Sequence, residues 1–168
     1  MAVKPLVSVI IPTFNRVAFL KEAVESVEKQ SCRDFELIIV DDGSTDGTGE
    51  YLESLPAKYI RLEHSGFPGR VRNAGTKAAE GKYLAFLDSD DLWEPEKLAK
   101  QIEYLAANPK IEICHTREVW LRNSRVVSQS KQHHKRSGNI FNHALKVYYR
   151  AFNGNGKQKA LYRNRFFP

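Results

Sequence analysis

The chain has 168 residues, of which 42% are hydrophobic and 27% charged, so its composition is that of one globular domain and excludes a wholly disordered protein. No apolar run approaches the roughly 18 residues of a membrane span. The two cysteines, Cys32 and Cys114, are too few for a disulfide framework, and we expect no signal peptide and a cytoplasmic location.

Strand and helix patterns alternate over the first 115 residues. Strands are predicted at 6–11, ended by Pro12, and then at 35–40, near 58–62, at 83–87 and at 111–115. The intervening helices are predicted after an N-cap at Asn15, at about 48–55, at about 68–79, and between Pro95 and Pro109. This alternation predicts an α/β fold with a mostly parallel sheet flanked by helices.

The pattern weakens after residue 115, where the charge also changes. Residues 1–115 carry 14 Lys/Arg and 19 Asp/Glu, whereas residues 116–168 carry 12 Lys/Arg and one acid, Glu118. A hairpin is predicted over 119–128 around Asn123-Ser124, followed by a basic loop at 129–138 and an amphipathic helix at 140–149. We therefore predict an α/β domain over 1–115 and a basic, atypical extension over 116–168.

Three polar segments follow predicted strands, at residues 12–16, 41–46 and 88–91. Right-handed crossovers bring the carboxyl ends of parallel strands to one edge of the sheet, which is where open α/β sheets bind ligands. The segment after the first strand, PTFNR, lacks the glycines of a dinucleotide or phosphate-binding loop. The sequence therefore counts against a dinucleotide-dependent dehydrogenase and against a phosphate-loop protein.

The third segment, Asp88-Ser89-Asp90-Asp91, carries three carboxylates in four residues. Two carboxylates about 4 Å apart repel by roughly 4 kcal/mol at an effective dielectric near 20, and a divalent cation relieves that repulsion. Helix capping is the alternative, but Pro95 favours the first helical position and puts the cap near Glu94. The acids are therefore predicted to act on a metal ion or a diphosphate.

The other two polar regions leave more than one interpretation open. Asp41 and Asp42 either accept hydrogen bonds from a nucleoside or form a turn that leads into a helix cap. Arg70 and Arg72, at the start of the third predicted helix, either approach a nucleotide or lie on a solvated face. His133-His134 is better explained by a solvated basic loop than by a metal site.

Taken in order, VSVIIPTFNR, ELIIVDDGSTDGT, GRVRNAG and YLAFLDSDDLWEPEKLAKQ resemble the nucleotide-sugar half of a family 2 glycosyltransferase with the GT-A fold. The resemblance is dense from about residue 7 to residue 101. It implies that Pro12, Thr13 and Asn15 line a nucleoside pocket. It also implies that Asp41 or Asp42 hydrogen-bonds the base.

The same resemblance implies roles for the remaining site residues. Arg72 would lie against the nucleotide, and Asp88 and Asp90 would form the DXD element. Asp90 is then the more direct ligand of a divalent metal, Mn²⁺ or Mg²⁺, and Asp88 lies nearer the ribose. The implied reaction is transfer of the sugar with inversion to a glycan or lipid-linked acceptor.

The chain departs from the family pattern towards its end. The base of the resembling family is a downstream aspartate, yet no acid follows Glu118. A neutral histidine is an alternative base, and His115 and His143 are the candidates, but their spacing does not place either one at the site. The sequence therefore does not identify the catalytic base. We expect an acceptor half that is truncated, frame-shifted or divergent, and poor turnover by residues 1–168.

Three other functions fit parts of the sequence. A non-catalytic nucleotide-sugar binder shares every donor motif, and a nucleotidyltransferase shares the carboxylates but needs a phosphate loop that PTFNR does not supply. A nucleic-acid binder would use the basic extension but has no recognisable module, so no nucleic-acid partner is expected. The basic extension is also a candidate for peripheral contact with an anionic membrane surface.

Overall fold

The computed structural model of the chain describes residues 4–116, 119–122, 125–127 and 159–161. The predicted helix at 140–149, the basic loop, Glu118 and His143 lie outside these residues. The strands are β1 (Val7–Thr13), β2 (Phe35–Asp41), β3 (Lys58–Arg61), β4 (Tyr83–Phe86), β5 (Ile113–Cys114), β6 (Trp120–Arg122), β7 (Arg125–Val127) and β8 (Lys159–Leu161). The helices are α1 (Val17–Glu28), α2 (Thr48–Glu53), α3 (Pro68–Ala78) and α4 (Lys97–Ala107).

Six strands form one sheet in the order β3-β2-β1-β4-β8-β5, and every pair of neighbours in it is parallel. The predicted parallel α/β architecture is therefore confirmed. The predicted hairpin is also confirmed, because β6 and β7 pair antiparallel with Arg122 opposite Arg125. No helix among the described residues combines the length and the apolar character needed to cross a bilayer.

Helices cover both faces of the sheet, because successive side chains of a strand point to opposite sides. Val9 and Ile11 of β1 join one buried cluster with side chains of α1, α2 and α4. Ile10, between them, joins a second cluster with Val71 of α3. α3 lies so close to the sheet that a Cβ added to Gly75 would approach Ile10 Cγ2 to 2.5 Å. Glycine at position 75 is what permits this approach.

The first strand runs further than predicted. β1 continues through Pro12 to Thr13, which pairs with Asp41 of β2. On the other side, Leu87 N donates to Ile10 O at 3.1 Å, just after β4 ends. The backbone of Pro12, two residues beyond Ile10, faces that same side, where no strand continues to need an N–H donor. Proline is therefore tolerated, and the prediction that it ends the strand was wrong.

The predicted cap of α1 was also wrong. Asn15 lies before the N-cap residue Arg16 and has a φ of 49°, in the left-handed region that Asn adopts more readily than most residues. The amide of Val17, the first helical residue, donates instead to Asp46 Oδ2 at 3.0 Å. The cap is thus supplied by a loop almost 30 residues away in sequence.

A strand near the end of the chain was missed entirely. β8 lies between β4 and β5, with Tyr83 opposite Lys159 and Ile113 opposite Ala160. Residues 116–168 therefore contribute a strand to the sheet of the first 115 residues. The division of the chain into a domain over 1–115 and an extension over 116–168 stays a prediction.

Candidate functional site

The acidic segments meet at the carboxyl ends of β1, β2 and β4, as the sequence predicted for a parallel sheet. Thr13, at the end of β1, pairs with Asp41 at the end of β2. Ile10 pairs with Phe86, the last residue of β4, and Asp88 follows two residues later. The loops after these three strands therefore lie side by side at one edge of the sheet.

The loops after β1 and β2 are joined by hydrogen bonds. Asn15 N donates to Ser44 Oγ at 2.8 Å, and Thr45 N donates to Asn15 Oδ1 at 2.8 Å. Asp46 accepts from Val17 N with one oxygen and from Thr48 with the other. The hydrogen bond from Thr48 is the largest influence on the Asp46 pKa, which lies below its ordinary value. Asn15 and Asp46 thus connect the loop after β1 to the loop after β2.

Asp41 is fully buried and organises the start of the loop that follows it. Its Oδ1 accepts from Ser44 N at 2.9 Å and from Ser44 Oγ, and its Oδ2 accepts from the Tyr59 hydroxyl at 3.3 Å. Burial raises the pKa of Tyr59, and the Asp41 charge adds to that shift. Both carboxylate oxygens are therefore engaged by protein donors, one in the turn at Ser44 and the other on β3.

Asp42 holds the loop that follows β3. Ser65 N donates to both carboxylate oxygens at 3.1 Å, Ser65 Oγ donates at 2.9 Å, and Gly66 N donates at 2.9 Å. Burial alone raises the pKa of Asp42, but these hydrogen bonds and the nearby His64 outweigh it and bring the pKa below its ordinary value. Asp42 is therefore an ionised, almost fully buried anchor.

An aromatic pair lies beside this anchor, and the sequence reasoning missed it. The rings of Phe14 and His64 stack with centroids 4.0 Å apart and an interplanar angle of 19°. His64 Nδ1 lies 2.9 Å from the backbone oxygen of Asp42 and 3.2 Å from its Oδ2. The two rings come from different loops 50 residues apart, so no local pattern could have paired them.

Of the other residues predicted to line a nucleoside pocket, Pro12 is half-buried and Thr13 is 4% exposed. Thr13 Oγ1 is buried without a hydrogen-bond partner among the described residues. A buried hydroxyl with no partner is costly unless something bonds to it. Pro12 and Thr13 lie at the end of β1, at the same edge of the sheet as the acidic loops.

Two arginines neutralise the acids after β4. Arg72 of α3 pairs with Asp88 through a very short Nη2–Oδ1 contact, and Arg16 pairs with Asp90 through an Nη1–Oδ2 distance of 2.8 Å. The sequence placed Arg72 near the nucleotide, but it gave no role to Arg16, the last residue of the PTFNR motif. The third acid, Asp91, is buried, and its N–H donates to Asp88 O at 2.9 Å.

Asp88 and Asp90 are suited to a divalent cation that also has ligands from elsewhere. Their side chains are 29% and 24% exposed, so a ligand can reach them. Within the described part of the chain, no three His, Cys, Asp or Glu side chains converge as one metal site. Ions such as Mg²⁺ commonly take one or two carboxylates and complete their coordination with substrate phosphates and water. The two aspartates fit that kind of site and do not form an all-protein cage.

A groove of about 530 Å³ lies beside α3. It is lined by Leu62, Phe67, Pro68, Gly69, Arg70, Asn73, Ala74 and Lys77. None of the six aspartates discussed above lines it, so the groove is separate from the acidic edge.

Comparison with known proteins identifies the family. The model of glycosyl transferase family 2 matches residues 8–166 of the chain. This chain is a member of glycosyl transferase family 2. Its sheet and flanking helices form the GT-A fold that the sequence predicted.

Individual relatives agree with this placement of the family 2 chain. It is 43% identical over 107 residues to TuaG of Bacillus subtilis (strain 168), a candidate teichuronic acid biosynthesis glycosyltransferase. That match covers 61% of this chain and 42% of TuaG. An uncharacterised glycosyltransferase of Rickettsia felis is 41% identical over 140 residues, which cover 80% of this chain and 23% of the relative.

Two solved structures are similar to the family 2 chain in fold and sequence. TarS 1-349 of S. aureus, in complex with UDP-GlcNAc, has a TM-score of 0.64 and 35% identity, covering 74% of this chain and 37% of TarS. The mannosyltransferase PcManGT of Pyrobaculum calidifontis, in complex with GDP-Man and Mn²⁺, has a TM-score of 0.61 and 26% identity. That match covers 69% of this chain and 36% of PcManGT. The chain thus spans less than half the length of each of these proteins.

Proposed function

We propose that this chain binds a nucleotide-diphosphate sugar together with a divalent metal ion, as the donor-binding part of an inverting glycosyltransferase. The acceptor in this proposal is a glycan or a lipid-linked glycan. The observation that carries the proposal is the convergence of the Asp41–Asp42 loop and the Asp88–Asp90 loop at one edge of the sheet. Relatives with the same fold were solved with UDP-GlcNAc, or with GDP-Man and Mn²⁺.

The two acidic loops have different chemical roles in this proposal. Asp88 and Asp90 are the partly exposed pair and hold Mn²⁺ or Mg²⁺, whereas Asp41 and Asp42 are buried and shape the nucleoside side. A divalent ion stabilises the negative charge that grows on the leaving diphosphate when the sugar bond breaks. Arg72, paired with Asp88, brings a positive charge to the same place.

The nucleoside side is supported by the fixed loops around it. Asp41 and Asp42 hold residues 44 and 65–66 through hydrogen bonds, and Asn15 joins the loops after β1 and β2. The Asp42 carboxylate already accepts from Ser65 and Gly66, so its part in this proposal is to position the loop after β3 beside the base. We propose that Pro12 and Thr13 line the same pocket.

Inversion needs a general base on the face of the sugar opposite the diphosphate, and a base of this kind contributes about 10²–10⁴-fold to the rate. The last acid in the sequence is Glu118, and no residue after it is Asp or Glu. For residues 1–168 taken by themselves, this favours a second candidate function, a nucleotide-sugar binder that transfers sugar poorly or not at all. Slow hydrolysis of the donor by water is the most turnover we expect from residues 1–168.

Calorimetry with a panel of nucleotide sugars, with and without Mn²⁺, tests the proposal. We expect one or more donors to bind, and binding to weaken strongly when EDTA removes the ion. No binding by any donor would refute the proposed function. Robust turnover with an acceptor panel, above about one per second, would refute the non-catalytic alternative, because that rate lies at the low end of ordinary enzymes.

The location is a separate proposal. We propose that the protein works in the cytoplasm, with the basic extension at 116–168 in contact with an anionic membrane surface. Its 12 Lys/Arg against one acid support this contact. Sedimentation with vesicles containing about 30 mol% phosphatidylserine should recover more protein than neutral vesicles do, and the difference should vanish in about 0.5 M salt.

A further inference from the structure

Arg16 has an unusual combination of a fixed backbone and an accessible side chain. Its neighbours Asn15 and Val17 are hydrogen-bonded to Ser44, Thr45 and Asp46, which anchors the chain on both sides of it. Its side chain is 50% exposed and lies across the edge of the sheet, with Nη1 2.8 Å from Asp90 Oδ2. The anchored backbone therefore keeps the guanidinium within reach of the acidic loop.

The two arginine–aspartate pairs differ in how tightly they are enclosed. Arg72 is 19% exposed and belongs to α3, whereas Arg16 is 50% exposed and precedes α1. An exposed ion pair contributes little free energy and exchanges partners readily. Of the two arginines, Arg16 can leave its aspartate more easily, because its charge is already in contact with solvent.

We propose that Arg16 holds Asp90 in the metal-free protein, releases it when the carboxylate takes a divalent ion, and then pairs with the diphosphate of the donor. This inference rests on the proposed function, because it assumes an ion at Asp90. It adds a residue to which no donor role has been given. Arginine suits the task because its planar guanidinium hydrogen-bonds phosphate oxygens in a bidentate manner.

Two effects of opposite sign follow from this exchange. Since Arg16 competes with the ion for Asp90, removing its charge should tighten binding of the ion alone. The dissociation constant of the ion should fall about two- to fivefold, which corresponds to the free energy of an exposed ion pair. Since the freed guanidinium bonds the diphosphate, the same change should weaken nucleoside-diphosphate binding by at least about tenfold, as expected for a lost charge-assisted hydrogen bond.

The test compares Arg16→Gln with Lys29→Gln in the full 168-residue chain. Lys29 is a matched control because it pairs with Glu25 at 2.6 Å, is 64% exposed, and lies at the opposite end of α1. Free Mn²⁺ is measured by electron paramagnetic resonance in a titration without nucleotide. UDP and GDP are then titrated by calorimetry at saturating Mn²⁺. We expect Arg16→Gln to bind Mn²⁺ more tightly and the nucleotide more weakly, with Lys29→Gln unchanged in both.

The outcomes separate this inference from the function on which it rests. If the wild-type chain binds neither Mn²⁺ nor a nucleotide, the proposed function fails and the inference fails with it. If the wild type binds both but Arg16→Gln has the wild-type affinity for Mn²⁺ or for the nucleotide, the inference is overturned and the function stands. Weaker binding of both Mn²⁺ and nucleotide also overturns it, because Arg16 would then merely support the site.

Discussion

Replacing Asp42 with alanine should destabilise the protein by about 3–5 kcal/mol, because three donors would lose a charged acceptor at once. Ser65 N and Ser65 Oγ donate to the carboxylate at 3.1 and 2.9 Å, and Gly66 N donates at 2.9 Å. The carboxylate is only 4% exposed, so its hydrogen bonds are shielded from water in the folded protein. The loop after β3 would lose its attachment to the end of β2.

The magnitude follows from these contacts. A hydrogen bond to a charged group contributes about 1.5–3 kcal/mol. Ser65 is half-buried and Gly66 is exposed, so the lost hydrogen bonds set the magnitude. The Ser65 hydroxyl can rotate towards solvent, so the two backbone N–H groups dominate. Their sum is a large fraction of the roughly 5–15 kcal/mol that stabilises an ordinary domain.

Urea unfolding followed by far-ultraviolet circular dichroism measures this loss. Asp34→Ala is the matched control, because Asp34 Oδ1 accepts from Leu6 N at 3.1 Å in an exposed setting. The control should change the free energy of unfolding by at most about 1 kcal/mol. Asp42→Ala should also weaken binding of a nucleoside without phosphates. An Asp42→Ala variant within about 1 kcal/mol of wild type would refute the reasoning, since Ser65 and Gly66 would then have other acceptors of similar strength.

Three further predictions concern the metal loop, the pH dependence and the packing of α3. Asp90→Ala should abolish metal-dependent binding of a nucleoside diphosphate, measured by calorimetry. Its circular dichroism spectrum should stay unchanged, because Asp90 is a partly exposed loop residue whose charge the fold does not need. Unchanged metal-dependent affinity would contradict this prediction. The pKa of Asp42 is lowered from 3.8, so its stabilisation is present above that pH and is lost as the pH falls through the folded-state pKa. The free energy of unfolding should therefore decrease less between neutral and acidic pH in Asp42→Asn than in wild type. Equal slopes of the unfolding free energy against pH below pH 3.8 would be inconsistent with the assigned contacts of Asp42. Gly75→Ala should destabilise by about 1–3 kcal/mol through overpacking, because its Cβ would lie 2.5 Å from Ile10 Cγ2. Gly69→Ala, in the same helix with nothing within 4 Å, should be neutral or stabilising in the same thermal unfolding assay, so equal effects of the two substitutions would argue against the packing of α3.

The strand and helix order of residues 1–115 was predictable because each element carries its own periodic pattern. Leu20, Val24 and Val27, spaced by three and four as on one face of a helix, are buried on α1. The run around residues 35–40 is a strand, β2, whose last four residues are buried. These patterns are local, and a short segment is enough to express them.

The position of the acidic loops was also predictable, for a reason of topology rather than of side-chain contact. Parallel strands joined by crossovers put their carboxyl ends on one edge, so polar segments that follow such strands must meet there. Thr13 and Asp41 are paired in the structure, as this rule requires. The specific motifs then indicated the family.

What the sequence did not reveal are the partners that come from distant parts of the chain. Arg16 and Asp90 are 74 residues apart, and Phe14 and His64 are 50 apart. The cap of α1 comes from Asp46 instead of Asn15. Local propensity says which residue types suit a cap or an ion pair, but only the packed loops decide which donor reaches which acceptor.

The sequence by itself thus determined the class of fold, the order of its elements in the first 115 residues and the edge at which its acids lie, since all three follow from local periodicity and from the handedness of crossovers. The tertiary structure decided the rest. It inserted Lys159–Leu161 between β4 and β5, and it divided the acids into a buried pair and an accessible pair. Both outcomes depend on backbone and side-chain contacts between segments far apart in the chain, which no single stretch of sequence encodes.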